Sequence, residues 1–328
     1  METIKLDIKD KRILEVLDLN PNAYLSEIAK TTLTSKQVAE YRIKKFISQK
    51  VIYSFFTVAN LGIIGYSLFR IHIKLKNISE EKYSSFAKHI FEEYPTFWIG
   101  FVSGSFDIII DIWAKNTHEF QTLFSKLLKK NTSIIYSYEI FPMLMLSMHS
   151  YGYFGEKSSP RRRSIVFSPS DKIESIDVTD HKILQVIKAD SRLSYEEIGR
   201  RVNLTRNSVK YRIKQLEEKK IISGYHMMID FKHFNRLSYK IFVAYDHTFS
   251  QEEEALISYL DQYPGILAYA KLLGRWNLDI EIQPHNAKEL QQFMIKLRNK
   301  FNIIKDYELI QIIEDFGLDF FPEKLDFK

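Results

Sequence analysis

The sequence predicts an α+β chain in which one design is used twice: a winged helix-turn-helix followed by a ferredoxin-like βαββαβ sandwich, then the same pair again. Three observations carry this. Residues 7–52 repeat as residues 177–222 at a constant offset of 170, without a gap. Each copy opens with three short amphipathic segments, the third of them basic on its outer side. Each continues with strand-period and helix-period stretches in the order βαββαβ.

The repeat is read residue by residue. Asp7 meets Asp177, Asp10 meets Asp180, Ile13-Leu14 meets Ile183-Leu184, and Tyr41-Arg-Ile-Lys44 meets an identical Tyr211-Arg-Ile-Lys214. Downstream, Tyr94-Pro95 answers Tyr263-Pro264, and Gly104-x-x-Asp107 answers Gly274-x-x-Asn277. A whole domain pair is duplicated, which differs from the short stacked repeats of a solenoid. The expected division is 1–56 and 176–226 for the helix-turn-helix domains and 61–148 and 231–316 for the sandwiches. A linker at 149–175 and a tail at 317–328 complete it.

In the first copy, Ile13, Leu14, Val16 and Leu17 mark helix one, and Asn20-Pro21-Asn22 breaks it. Helix two begins near Ser26. Thr34 is the expected cap of helix three, with Gln37 at the capping-box position, and Ala39, Ile43 and Phe46 form its inner face. In the second copy Thr205 is the expected cap, because its hydroxyl can accept from an orphan N–H of the first turn. Val209, Ile213 and Leu216 then make a dry stripe, leaving Arg206, Asn207, Lys210, Tyr211 and Lys214 off it. Val51–Tyr53 and Ile221–Gly224 follow as a short strand or wing.

Phe69–Leu75 alternates apolar and basic residues, the pattern of a half-buried strand. Tyr83–Tyr94 and Phe120–Leu128 have helical period; Phe97–Val102, Asp107–Trp113 and Ser133–Ile140 read as strands. The second copy repeats this through Tyr239–Tyr245, Glu253–Tyr263, Ile266–Leu273, Leu278–Gln283, Ala287–Phe301 and Ile304–Glu314. Between the copies, glycines, prolines and serines read as a linker, and Arg161-Arg162-Arg163 as a solvated tether in preference to a phosphate contact.

Composition narrows function. The 328 residues carry a net charge of +6, which favours an anionic partner. There is no cysteine, so thiolate metal sites and cysteine nucleophiles are excluded. The nine histidines are scattered without metal-ligand spacing, and no Gly-rich phosphate loop or nucleophile elbow is present. No metal and no cofactor are expected. Asp107, Asp111, Asp279 and Glu281 lie on predicted strands, where such carboxylates are usually solvated. The N-terminus has no signal-peptide pattern, and no apolar run approaches the roughly 18 residues of a membrane span, so a cytoplasmic setting is expected.

A basic, amide-bearing helix with a dry back is what the major groove accepts. A surface helix with a solvated charged face would show the same pattern, and the repeated scaffold favours the first reading. The candidate double-stranded DNA contacts are Thr205, Arg206, Asn207, Ser208, Lys210, Tyr211 and Lys214, with Ser35, Lys36, Gln37, Tyr41 and Lys44 in the first copy. Glu40 stands where Lys210 stands, so the second helix is the expected reader and the first an auxiliary.

The chain resembles the leucine-responsive/asparagine-synthase regulator (Lrp/AsnC) family. The resemblance is carried by Ile176–Leu184, Asp190–Ser194, Glu197–Val202, the Leu204–Ile222 helix and the Gly104-x-x-Asp107 turn. It implies a transcription regulator that self-associates through its sandwiches. It also implies an amino-acid-like effector near Gly104, Asp107, Gly274 and Asn277, although Asn277 departs from the aspartate of the first turn. Pairing of the two sandwiches would bury their outer sheet faces and set two recognition helices for adjacent half-sites, about 34 Å apart on one duplex face. Two alternatives share this architecture: a siroheme decarboxylase-like enzyme and a heterodimer partner that does not bind DNA. Phe97–Ser103 and Leu267–Leu273 contain no histidine or arginine to hold substrate carboxylates. The expectation is therefore that the chain is not an enzyme.

Overall fold

A computed structural model describes residues 5–76, 79–154, 163–246 and 251–325. The first helix-turn-helix comprises α1 (Ile8–Leu19), α2 (Leu25–Thr32) and α3 (Lys36–Ser48). The second comprises α6 (Val178–Ile187), α7 (Tyr195–Val202) and α8 (Arg206–Glu218). Asp7 and Asp177 each cap their helix in a reciprocal capping box with Asp10 and Asp180. The repeated arginine then ties helix three to that cap. Arg42 reaches Asp7 at 2.8 Å and Asp10 at 2.5 Å; Arg212 reaches Asp177 at 2.7 Å and Asp180 at 2.8 Å. Thr205 caps α8 as expected, accepting from the Ser208 N–H at 3.2 Å. On α3 the cap is Ser35 and not Thr34, whose hydroxyl instead meets that of Thr32.

The wings are shared between the copies. β1 (Ile52–Ala59) and β7 (Ile222–Ile229) pair antiparallel, Ile52 opposite Ile229 and Ala59 opposite Ile222. Each wing therefore pairs with the corresponding strand of the other copy. β1 also docks on the end of α6: Thr57 donates from its hydroxyl to the Ile187 carbonyl at 2.7 Å. Arg192 donates to the Pro21 and Ala23 carbonyls, which joins the two helix-turn-helix domains directly.

The first sandwich contains β2 (Ser67–Leu75), α4 (Glu80–Glu93), β3 (Thr96–Ser103), β4 (Ile108–Ala114), α5 (Thr117–Asn131) and β5 (Ile135–His149). The second contains β8 (Ser238–Tyr245), α9 (Gln251–Gln262), β9 (Ile266–Leu272), β10 (Leu278–Ile282), α10 (Ala287–Lys300) and β11 (Ile304–Leu318). The strand order is β2-β4-β3-β11-β8-β10-β9-β5-β6, and β2 also pairs β5, so all but β6 (Ser164–Phe167) form a closed ring. Closure depends on the two 15-residue strands. β5 pairs β2 up to Pro142 and then β9 from Met143; β11 pairs β8 up to Ile312 and β3 from Gln311 onward. Pro142 stands at the change of partner, where a missing N–H is tolerated.

The helices cover the outside of this barrel, and their apolar faces meet the isoleucine-rich faces of β2, β4, β8 and β10 in two separate cores. The opposite strand faces point inward. This corrects the reading of β2 as half-buried. Arg70 and His72 alternate with the core residues as expected, yet both are buried, because the other sandwich lies where solvent was expected. Asp111 and Asp279 are buried for the same reason.

The stretch between the copies is only partly a tether. Tyr151 and Phe154 are buried in the core of the first helix-turn-helix, and Ser164–Phe167 adds β6 to the edge of β5. Arg161 and Arg162 lie outside the described residues; the Arg163 amide donates to the Ser150 hydroxyl. The C-terminal residues likewise pack inward, with Phe320 and Phe321 fully buried against the core of the second helix-turn-helix. Phe321→Ala should therefore cost about 3–5 kcal/mol, the range for deleting a buried aromatic. A denaturation midpoint unchanged from the parent chain would show that these residues are an appendage.

Candidate functional site

Two regions gather functional side chains: the outer faces of α3 and α8, and the inside of the barrel. On α8, Val209, Ile213 and Leu216 are buried as the sequence predicted, and Thr205, Arg206, Asn207, Lys210, Tyr211 and Lys214 are exposed, with Ser208 half-buried. Arg212 is turned back to Asp177 and Asp180, and the carboxylates hold its guanidinium charge by raising its pKa. Arg206 pairs with Glu196 at 2.9 Å and Lys214 with Glu218 at 3.2 Å; these are exposed contacts of little energy that a phosphate can displace. Lys210 has no ion-pair partner among the described residues. On α3, Lys36, Gln37, Tyr41 and Lys44 are exposed and Ser35 is the cap. There Glu40 pairs with Lys44 at 2.7 Å, which neutralises that part of the face. Lys36 and Arg206, the first residues of the two helices, border one cleft of about 590 Å³ between the helix-turn-helix domains.

The candidate effector turns occupy the seams between the copies. Gly104 and Gly274 both have φ of +144°, a conformation that glycine supplies. An added Cβ at Gly104 would strike Ile310 of the second copy, and one at Gly274 would strike Phe141 of the first. Asp107 accepts from Lys74 at 2.9 Å and from the Leu75 N–H at 2.7 Å. Asn277 accepts from the Tyr245 N–H at 2.9 Å. Both side chains thus brace their turns from within.

The barrel interior was not singled out by the sequence. Arg70 from β2 makes a two-pronged pair with Asp111 of β4, both bonds at 2.7 Å. It also contacts Asp279 of β10. Lys240 of β8 bridges Asp279 at 3.2 Å and Glu281 at 3.1 Å, and its ammonium lies 4.7 Å from the Trp98 ring. Burial, then the neighbouring Arg70, lowers the Lys240 pKa. His72 is enclosed by Phe106, Phe141 and Phe242, and burial pushes its pKa well down, so it is neutral. Asp315 of β11 accepts from the Trp98 indole N–H at 2.9 Å. Burial and then Glu281 raise its pKa to about 6. Arg70, Trp98, Asp111, Lys240, Asp279, Glu281 and Asp315 line a cavity of about 90 Å³ that His226, Met228 and Ile229 of β7 also border. The signal that could have found it is the repeat itself: Arg70 and Asp111 fall at the same offset of 170 from Lys240 and Glu281 as the helix-turn-helix residues do.

The fold and these two regions define a tandem helix-turn-helix protein with paired sandwich domains. A winged helix-turn-helix DNA-binding family matches residues 176–223. The HTH-type transcriptional regulator FL11 of Pyrococcus abyssi is 31% identical over 117 residues, covering 35% of this chain and 76% of FL11. LrpC of Bacillus subtilis is 29% identical over 122 residues, 37% of this chain and 83% of LrpC. The chain belongs to the Lrp/AsnC family of helix-turn-helix transcriptional regulators. Among solved structures, the siroheme decarboxylase NirDL matches with a TM-score of 0.61 over 95% of this chain and 93% of its own at 10% identity, a likeness of fold.

That likeness overturns the expectation that the chain is not an enzyme. The architecture is shared over nearly the whole length with one that carries catalysis. The expectation weighed only β3 and β9 for cations. Arg70 and Lys240 enter the shared interior from β2 and β8 instead. Among the described residues, no helix is long and apolar enough to cross a membrane.

The folded pKa of Asp315 near 6 lies above the ordinary 3.8. The folded state therefore keeps the proton longer than the unfolded chain. Ionised Asp315 opposes folding, a cost absent below the unfolded value and complete once pH passes the folded one. Asp315→Asn should raise the melting temperature at about pH 7.5 and leave it unchanged near pH 4. His226, whose pKa falls to about 3, acts in the opposite sense, and equally in both proteins. An equal shift at both pH values would mean that charge is not the cause.

Proposed function

We propose that the chain is a sequence-specific, double-stranded-DNA-binding transcription regulator acting in the cytoplasm, with α8 as its main reader and α3 as an auxiliary. One observation carries this: at equivalent positions the exposed face has Lys210 on α8, without an ion-pair partner among the described residues, and a Glu40–Lys44 pair on α3. Arg206 and Asn207 at the start of α8 would reach base edges, and Lys210, Tyr211 and Lys214 would hold phosphates, with Thr205 and Ser208 at the helix entrance. Ser35, Lys36, Gln37, Tyr41 and Lys44 would make the weaker contacts of the second half-site. Because the copies differ, the preferred site is asymmetric. Further association through the sandwiches, and an amino-acid-like effector at the Gly104–Asp107 and Gly274–Asn277 turns, belong to the same proposal.

Selection of binding sites from random duplex DNA tests it. Arg206→Ala should reduce discrimination against mismatched sites by about 1–3 kcal/mol. Lys214→Ala should weaken all duplexes alike and lower the salt slope by about 0.9. Affinity that does not change with salt, or no binding to any duplex, would sink this reading and favour a heterodimer partner without DNA contacts.

A second reading rests on the nearly full-length likeness to NirDL and on the buried charged interior: the barrel handles a small molecule chemically. NirDL has also been solved with an iron-uroporphyrin III analogue, so incubation with iron uroporphyrin III or siroheme, followed by mass analysis of the products, tests it.

A further inference from the structure

The cavity inside the barrel holds more carboxylates than cations, and the repeat shows which are in excess. Arg70 answers Lys240 and Asp111 answers Glu281, so each copy brings one cation and one carboxylate. Asp279 and Asp315 have no acidic counterpart; Ile109 stands where Asp279 does, and Leu146, paired with Ala270 as Asp315 is with Gly100, stands where Asp315 does. All four carboxylates line the same cavity, with Arg70 and Lys240 as its cationic lining. Asp279 is 2% exposed. Its Oδ2 is shared between Arg70 and Lys240; its Oδ1 and the neighbouring Arg70 Nη1 both lack a hydrogen-bond partner among the described residues. For Asp315, the Trp98 indole is the partner among the described residues.

A buried carboxylate oxygen without a donor is costly, and two surplus negative charges in one enclosed space are more so. A cation of matching size removes both costs. No group of three or more His, Asp or Glu residues is arranged to hold a metal ion among the described residues. N–H donors that reach several strands at once supply the compensating charge without a metal-ligand set. Leu146, Met148, Ile229 and Leu318 offer apolar wall for a short alkyl stem, and Tyr151 and Tyr269 border the same space. The acidic lining favours a cationic head group over a carboxylate-bearing ligand.

We propose that the barrel cavity is a binding site for a small organic cation, an ammonium or guanidinium on a short alkyl stem, received by Asp279, Glu281 and Asp315. The site is independent of DNA binding, although β7, which borders it, is half of the ribbon joining the two helix-turn-helix domains.

The test uses the full chain and four probes of one length: n-butylamine, n-butylguanidine, 1-butanol and butyrate. Calorimetry and thermal shift should show one molecule of either cation binding and raising the melting temperature, with no effect from the alcohol or the acid. Asp315→Asn keeps the acceptor for Trp98 and should weaken cation binding at least tenfold. Ala268→Phe, which fills the cavity, should abolish it. Several results would each overturn the site: no cation binding at millimolar concentration, equal binding of 1-butanol, undiminished binding in both variants, or one-to-one binding of iron uroporphyrin III in place of the amines. DNA binding measured on the same preparation separates failure of this site from failure of the regulator reading.

Discussion

The structure depends on two strands that are longer than their own sheets require. β5 and β11 each finish their sandwich and continue onto the neighbouring copy, and the two crossings close the ring. An isolated four-stranded sandwich of this kind would expose a strand edge and one sheet face. Closure satisfies the edge hydrogen bonds and removes a site of aggregation. It also fixes the relation of the copies, because a closed ring admits no sliding of one register without breaking another. The remaining contacts between the copies follow from that. The β1–β7 ribbon forms because the two wings emerge side by side from the top of the barrel, and Arg192 can reach Pro21 because the ribbon brings the helix-turn-helix domains together.

Duplication within one chain releases the copies from identity. In a dimer of identical chains, a change on one recognition helix appears on both. Here Glu40 and Lys210 occupy equivalent positions with opposite charge, while the clamp beneath them, Arg42 or Arg212 on a capping box, is unchanged. The clamp that holds each helix at its angle is kept, while the exposed face differs at Glu40 and Lys210. The same division holds inside the barrel: the matched pairs Arg70–Asp111 and Lys240–Glu281 close off the interior, and the unmatched Asp279 and Asp315 give it a net charge.

Much of the architecture was legible because the signals are local. Helical period in α3 and α8, the Thr205 cap and the strand alternation of β2 each depend on neighbours within a few residues. The βαββαβ order followed from those signals and from the repeat. What could not be read locally is which face of a strand meets water. Arg70 and His72 alternate with isoleucines as solvent-facing residues do, and their actual neighbours lie on strands about 170 residues away. The missed Arg70–Asp111 pair, the buried Asp279 and the mistaken exclusion of catalysis share that origin. Tyr151, Phe154, Phe320 and Phe321 were passed over because they sit in irregular stretches where periodicity gives no signal. The shift of the α3 cap from Thr34 to Ser35 is a competition between adjacent hydroxyls, and Thr34 was already engaged with Thr32.

The charges in the barrel are hard to explain as stabilising. A buried ion pair seldom improves on well-packed apolar side chains of similar volume, and a surplus carboxylate is worse than either. The molecule contains its own comparison: where the second copy has Asp279 and Asp315, the first has Ile109 and Leu146, on equivalent strands of the same barrel. Apolar residues are therefore compatible with the fold at those positions. Conformational specificity does not explain the acids either, since the closed strand ring and the glycine turns already set the register. The acids line a cavity bordered by β7, the strand that leaves the second recognition helix. A charge that costs stability at that place, and that the other copy does without, has its physical rationale in what it receives.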